Sequence, residues 1–191
     1  MFDAHCHFQA ENAIVCSAQL LPQYINHPFD LALAGVSEAG LDARFTDRVP
    51  MERQIETLES ILEYAKQHRI PVTLHCVRAT GAMLRILNKV RPEKGYCMWH
   101  GFTGSVETAK ELGRLGVIVS IGPRFKGNAA DLDYFVIETD YEGNSAEEHE
   151  EILTGLYRKC SGELGISMER LEEICNERAA AFKNYRLAGQ R

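Results

Sequence analysis

Between Met51 and Asp140 the chain alternates helical and extended periodicity with little spacer, and no other feature restricts its fold so tightly. Met51, Ile55, Leu58, Leu62 and Ala65 recur at helical spacing before Pro71. Pro71–Val77 then reads as a strand ending at His75. Met83, Leu84, Leu87 and Val90 mark a second helix that stops before Pro92, and Tyr96–His100 is a second strand. Ser105 is placed to cap a third helix carrying Ala109, Leu112 and Leu115, with Gly116 as its stop. Val117–Gly122 and, after a polar loop, Tyr134–Asp140 continue the series. Each strand is an apolar run rather than an alternating one, which predicts a parallel sheet covered by helices. Ser145 with Glu148 forms a capping box for a helix through Cys160, and Ser167 caps a last helix bearing Leu171, Ile174, Cys175 and Phe182.

Upstream, Met1–Phe8 reads as a strand in which Asp3, His5 and His7 point one way and Phe2, Ala4, Cys6 and Phe8 the other. Asn12–Ala18 is a second extended run, and the link between the two is too short for a crossover helix, so their pairing stays open. Leu20–His27 suggests a helical turn. Asp30–Asp42 reads as an apolar strand finishing in Glu38 and a glycine-containing turn. The expected fold is α/β: a single domain over residues 1–191, a (β/α) barrel of TIM type with about seven strands. A complete eight-stranded barrel takes roughly 200 residues or more, so the barrel is expected to be shortened or incomplete.

Composition narrows the functional classes. The chain is 45% hydrophobic and 25% charged, with no apolar run long enough to span a membrane, and its first residues carry no basic-then-apolar leader. A cytoplasmic protein is expected. The six cysteines show no short paired spacing and are read as reduced and mostly buried. A net charge of −6 repels nucleic acid at long range, so a phosphate-bearing substrate would need a local basic cluster or metal ions.

The ionisable residues fall at the carboxyl ends of the expected strands, where active sites lie in parallel α/β folds: His5, His7, Glu38, His75, His100 and Asp140. Each has an ordinary structural explanation as a turn cap or a hydrogen-bonded core histidine. Four imidazoles and two carboxylates on one rim have none. That donor set suits a pair of divalent ions such as Zn²⁺ or Mn²⁺, and a carboxylate such as Glu38 can bridge two of them.

In order, Asp3–His7 (Asp-x-His-x-His), Glu38–Asp42 (Glu-x-Gly-Leu-Asp), Val72–His75, His100–Gly104 (His-Gly-Phe-x-Gly) and Glu138–Asp140 (Glu-Thr-Asp) resemble the motifs of the TatD family of metal-dependent hydrolases, within the amidohydrolase-like barrels. The resemblance implies two divalent metal ions (Zn, Mg or Mn). It places His5, His7 and Asp140 on the first, His75 and His100 on the second, and Glu38 between them. It also implies a deoxyribonuclease or exonuclease activity on phosphodiesters. The chain departs from the family pattern in having Ser37 before the motif glutamate, Arg78 one position late, a short segment from Gln9 to Pro28, and Tyr141-Glu-Gly-Asn144 after Asp140.

The mechanism expected from this reading is attack by a metal-bridged hydroxide, with Asp140 and Glu38 as the catalytic carboxylates and Asp140 relaying the proton. Arg78, Arg124 and Lys126 are candidates for holding an anionic substrate, the alternative being that they are solvated surface charges. Asp42 and Thr103 are read as supports, and alternation turns Cys6 and Cys76 away from the site. The expected partner is single-stranded DNA or RNA, or a small-molecule substrate. Two other functions remain open at this level: hydrolysis of a small amide, ester or lactone on the same site, and a non-catalytic metal-binding scaffold.

Overall fold

Helix α1, Met51–Gln67, buries Leu58, Ile61, Leu62 and Ala65, the stripe that its three- and four-residue spacing lays along one side. The computed structural model in which it is seen describes residues 1–8, 10, 12–15, 17–20, 37–183 and 185. Four more helices follow: α2 (Thr80–Val90), α3 (Val106–Arg114), α4 (Ala146–Leu164) and α5 (Met168–Lys183). The starts of α3, α4 and α5 are held by serine hydroxyls, whereas α2 begins after Ala79 with no side-chain cap. Ser105 Oγ accepts from Thr108 N–H at 3.2 Å, Ser145 Oγ from Glu148 N–H at 3.2 Å, and Ser167 Oγ from Arg170 N–H at 3.2 Å. The Glu148 carboxylate does not turn back to close a capping box; it accepts the Tyr141 hydroxyl at 2.7 Å.

The strands are β1 (Asp3–Cys6), β2 (Ala13–Val15), β3 (Ser17–Leu20), β4 (Ser37–Asp42), β5 (Val72–Val77), β6 (Cys97–Trp99), β7 (Ile118–Ile121) and β8 (Phe135–Ile137). Every pairing among them is parallel: β1 with β2 in one sheet, and β3 through β8 in chain order in a second. Past β8 the chain runs beside β1, where Asp140 N–H donates to His5 O at 3.0 Å and His7 N–H to Tyr141 O at 2.9 Å. The expected α/β architecture with a parallel sheet and covering helices is therefore present, as two sheets among the described residues.

Alternation along the strands separates two kinds of burial. Ala39, Leu41, Val72, Leu74, Trp99, Val119 and Ile137 join the main apolar cluster with the helices. Met98, Ile118 and Val136 join a second cluster with Phe2, Ala4, Ile14 and, from α5, Ala179 and Phe182. Glu38, His75 and His100 share the strand face opposite the main cluster. None of the helices described is long and apolar enough to cross a membrane.

Several boundaries differ from those read in the sequence. The run Asn12–Ala18 divides into β2 and β3, which pair with different strands. The helical turn expected over Leu20–His27 and the strand expected from Asp30 fall largely outside the described residues. Glu38 does not end its strand: β4 continues through Gly40 to Asp42, because Gly40 lies directly opposite His75 of β5, where a Cβ would sit 1.8 Å from the His75 carbonyl oxygen. Likewise β5 continues past His75 to Val77. Conversely β8 ends before the acidic residues, and Asp140 adopts a left-handed backbone, φ +53°.

Candidate metal centre

Parallel register carries Glu38, His75 and His100 to one side of three adjacent strands. Glu38 Oε1 lies 2.8 Å from His75 Nδ1 and 2.7 Å from His100 Nε2, so one carboxylate oxygen serves two imidazoles. From the other direction β1 brings His5, and the turn after it His7. Asp140 Oδ1 stands 3.6 Å from His5 Nε2, 3.7 Å from His7 Nε2 and 3.9 Å from His100 Nδ1, while His7 Nε2 is 3.8 Å from Glu38 Oε2. The structure thus brings all six strand-end residues into one cluster.

Within it, two sets of donors have their atoms within 4.8 Å of one another: His5, His7 and Asp140, and His5, Glu38 and His100. Both ring nitrogens of His5, Glu38 Oε2 and His100 Nδ1 are buried without a hydrogen-bond partner. A buried polar atom left unpaired costs roughly 1–3 kcal/mol, and here several such atoms converge. Nitrogen and carboxylate donors disposed this way fit divalent cations, which would satisfy them together.

The charges are set by the same geometry. Burial, then the neighbouring His100, holds His5 well below the usual imidazole range, so its nitrogens stay neutral and able to ligate. Burial alone would raise the Glu38 carboxyl, but the hydrogen bonds from His100 and His75 outweigh it and keep Glu38 ionised far below the usual carboxylate range. For His75 burial opposes the charged form, and its contacts with Glu38 and Asp42 prevail and raise it. Asp42 Oδ2 reaches His75 Nε2 at 3.1 Å, which orients the ring toward Glu38.

A basin of about 770 Å³ opens over the cluster, bordered by His7, Glu38, Asp42, His75, His100 and Asp140 and by Arg44, Phe45, Arg78, Thr103 and Arg124. Of the cations singled out in the sequence, Arg78 and Arg124 reach this wall. Arg124 is already engaged, its Nη2 lying 2.5 Å from Asp140 Oδ2. Lys126 is exposed and does not border the basin, because the turn at Gly122–Gly127 that buries Phe125 faces it elsewhere. Thr103 borders the basin. Cys76, expected to turn away, borders it too, though burial pushes its thiol up to about 12.

Sequence reasoning gave no role to four residues that hold the site. Asp3 is fully buried and bonds Thr139, the His5 N–H and His149 Nε2 of α4. Glu138 is fully buried, raised well above the usual range by burial and by Asp140, and accepts the Gly101 N–H. Arg44 grips Asp42 through Nε and Nη2. Asp3 and Glu138 were visible as members of their motifs; His149 and Arg44 carry no local signal.

A parallel α/β sheet whose strand ends gather imidazoles and carboxylates beneath an open basin is the arrangement of metal-dependent hydrolases. The model of the TatD-related DNase family matches residues 18–183, and the chain belongs to that family. Among its relatives, an uncharacterized metal-dependent hydrolase of Haemophilus influenzae is 28% identical over 69% of this chain and 53% of its own length. The uncharacterized metal-dependent hydrolase YjjV of Escherichia coli is 34% identical over 47% of this chain and 34% of its own length. The human 3'-5' RNA nuclease TATDN2 is 29% identical over 63% of this chain and 15% of its own length. The chain thus spans about half or less of these relatives. The solved structure of Escherichia coli YjjV shares the fold with a TM-score of 0.59 at 17% identity, covering 89% of this chain and 85% of that one. An uncharacterized amidohydrolase from Saccharomyces cerevisiae does so with a TM-score of 0.61 at 13% identity, covering 77% and 64%.

Proposed function

We propose that this chain is a divalent-metal-dependent phosphodiesterase acting on single-stranded nucleic acid. The observation that supports the reading most directly is the convergence of unpartnered buried donor atoms from His5, Glu38 and His100. In this reading His5, His7 and Asp140 would hold one ion and His75 and His100 a second, with the Glu38 carboxylate available as a ligand to either. Divalent ions bound there supply Lewis acidity and bring the pKa of water down to about 7. Asp140 Oδ1, turned toward the histidines, accepts the nucleophile's proton and returns it to the leaving oxygen. Arg124 holds Asp140 by its other oxygen and, with Arg78, offers guanidinium to the phosphate. The family description and the human RNA nuclease support nucleic acid as the substrate.

A second reading is supported by the pairing of the basin's cations: Arg44 and Arg124 are each bound to a carboxylate, which leaves little free positive charge for a polyanion. The same centre would then hydrolyse a small ester, amide or lactone. The deciding experiment measures metal-dependent release of nucleotides from single-stranded DNA and RNA beside a panel of small esters, amides and lactones, with Mg²⁺, Mn²⁺ or Zn²⁺. Nucleotide release is expected; turnover of the small panel alone would overturn the phosphodiesterase reading.

A further inference from the structure

Beside the centre, the chain leaves β4 at Asp42 and makes a single 3-10 turn, Ala43–Phe45. Phe45 stands partly exposed on the basin wall and belongs to neither apolar cluster. Two guanidinium carbons lie within reach of its ring, Arg44 Cζ at 5.7 Å and Arg48 Cζ at 5.9 Å from the centroid.

The turn that carries Phe45 is held firmly. Asp42 Oδ1 accepts the Arg44 N–H at 2.9 Å, and the Phe45 carbonyl accepts from Arg48 N–H at 3.0 Å and Val49 N–H at 2.8 Å. Buried Gln54 of α1 clamps it from below: its Oε1 accepts the Asp42 N–H at 2.8 Å, and its Nε2 donates to Asp42 O at 3.1 Å and Val49 O at 2.8 Å. A buried amide spent wholly on the backbone of a surface turn fixes what that turn displays. Asp42 is also the residue that orients His75, so the aromatic ring and the metal-binding imidazole are referred to one carboxylate. An aromatic face flanked by arginines is what sequence-tolerant binding of single strands uses, the base stacking and the cations meeting the backbone.

We propose that Phe45 is a stacking platform for the nucleobase adjacent to the phosphodiester being cleaved, with Arg48 placed beside it for a neighbouring backbone phosphate and Arg44 kept on Asp42. The inference rests on the nucleic-acid reading above and extends it to a base-binding subsite. It requires that a substrate with a base be favoured over one without.

The test compares thymidine 5'-(p-nitrophenyl phosphate) with methyl p-nitrophenyl phosphate, which has the same leaving group and no base, in the Mn²⁺-loaded protein. Stacking on one aromatic side chain corresponds to about a five- to hundredfold effect. The ratio of kcat/KM for the thymidine ester to that for the methyl ester is expected to fall at least fivefold in Phe45→Ala and to stay within twofold of wild type in Phe45→Trp. A smaller fall in Phe45→Ala, or an equal fall in Phe45→Trp, overturns the platform while leaving the hydrolase reading standing. If the wild-type protein cleaves neither ester with Mn²⁺, Mg²⁺ or Zn²⁺, the phosphodiesterase reading has failed and equilibrium binding decides the platform separately. Fluorescence anisotropy of labelled oligothymidylate and oligouridylate without added metal is then expected to show at least fivefold weaker binding to Phe45→Ala, the stronger-bound oligomer identifying DNA or RNA. Equal binding by wild type and variant overturns the proposal.

Discussion

The Asp3 carboxylate takes both donors of Thr139, the backbone N–H at Oδ1 (3.0 Å) and the hydroxyl at Oδ2 (2.6 Å), and so ties the first strand to the residue before Asp140. The same two oxygens accept the His5 N–H at 3.1 Å and meet His149 Nε2 at 2.8 Å. Asp3→Ala strands these buried groups without an acceptor, and a loss of about 2–4 kcal/mol is expected. Asp3→Asn keeps the shape and some of the acceptor capacity and should lose less. Urea unfolding of the two variants measures both; a neutral Asp3→Ala would show that the seam does not depend on this carboxylate.

Gly40→Ala is expected to cost about 3 kcal/mol or more, because the added methyl group would lie 1.8 Å from the His75 carbonyl oxygen and β4 and β5 would have to separate. Glu38 and His75 sit on these two strands, so metal uptake should fall with stability. Thermal unfolding together with elemental analysis reads both effects.

Bound metal should stabilise the fold by mass action. At free metal a hundredfold above its Kd the gain is about 2.7 kcal/mol, and a chelator should remove it. His5→Ala and His100→Ala are expected to lower metal content and shrink the chelator effect, whereas Asp140→Asn should retain metal and lose turnover. Equal metal loss in all three would remove the proton-transfer role proposed for Asp140.

Burial pushes the thiols of Cys6 and Cys160 up to about 12. These side chains should resist iodoacetamide at pH 8 in the native protein and react on unfolding, as mass spectrometry of the alkylated sites will show. The linkage has a definite sign. Above the ordinary thiol value near 9 the unfolded chain releases protons that the folded chain keeps, so stability is present in full below pH 9 and is lost as pH rises toward 12. Rapid alkylation of native Cys6 or Cys160 at pH 8 would contradict their burial.

Much of the architecture is a local matter and was therefore legible in the order of residues. The stripe from Leu58 to Ala65, the serine caps at Ser105, Ser145 and Ser167, and the apolar runs around Leu74 and Val119 act within a few positions of themselves. His5, His7, Glu38, His75, His100 and Asp140 could be picked out because each stands near the end of such a run. What could not be read is which groups meet across the fold. Asp3 finds His149 over 146 positions of chain, Gly40 owes its identity to the His75 carbonyl beside it, and Lys126 misses a basin that Arg44, Phe45 and Arg124 reach. Helix periodicity and capping are energies between near neighbours, so the sequence by itself determined them. Hydrogen bonds between distant side chains and the close approach of two backbones exist only once strands have taken their register, and these the tertiary structure alone decided.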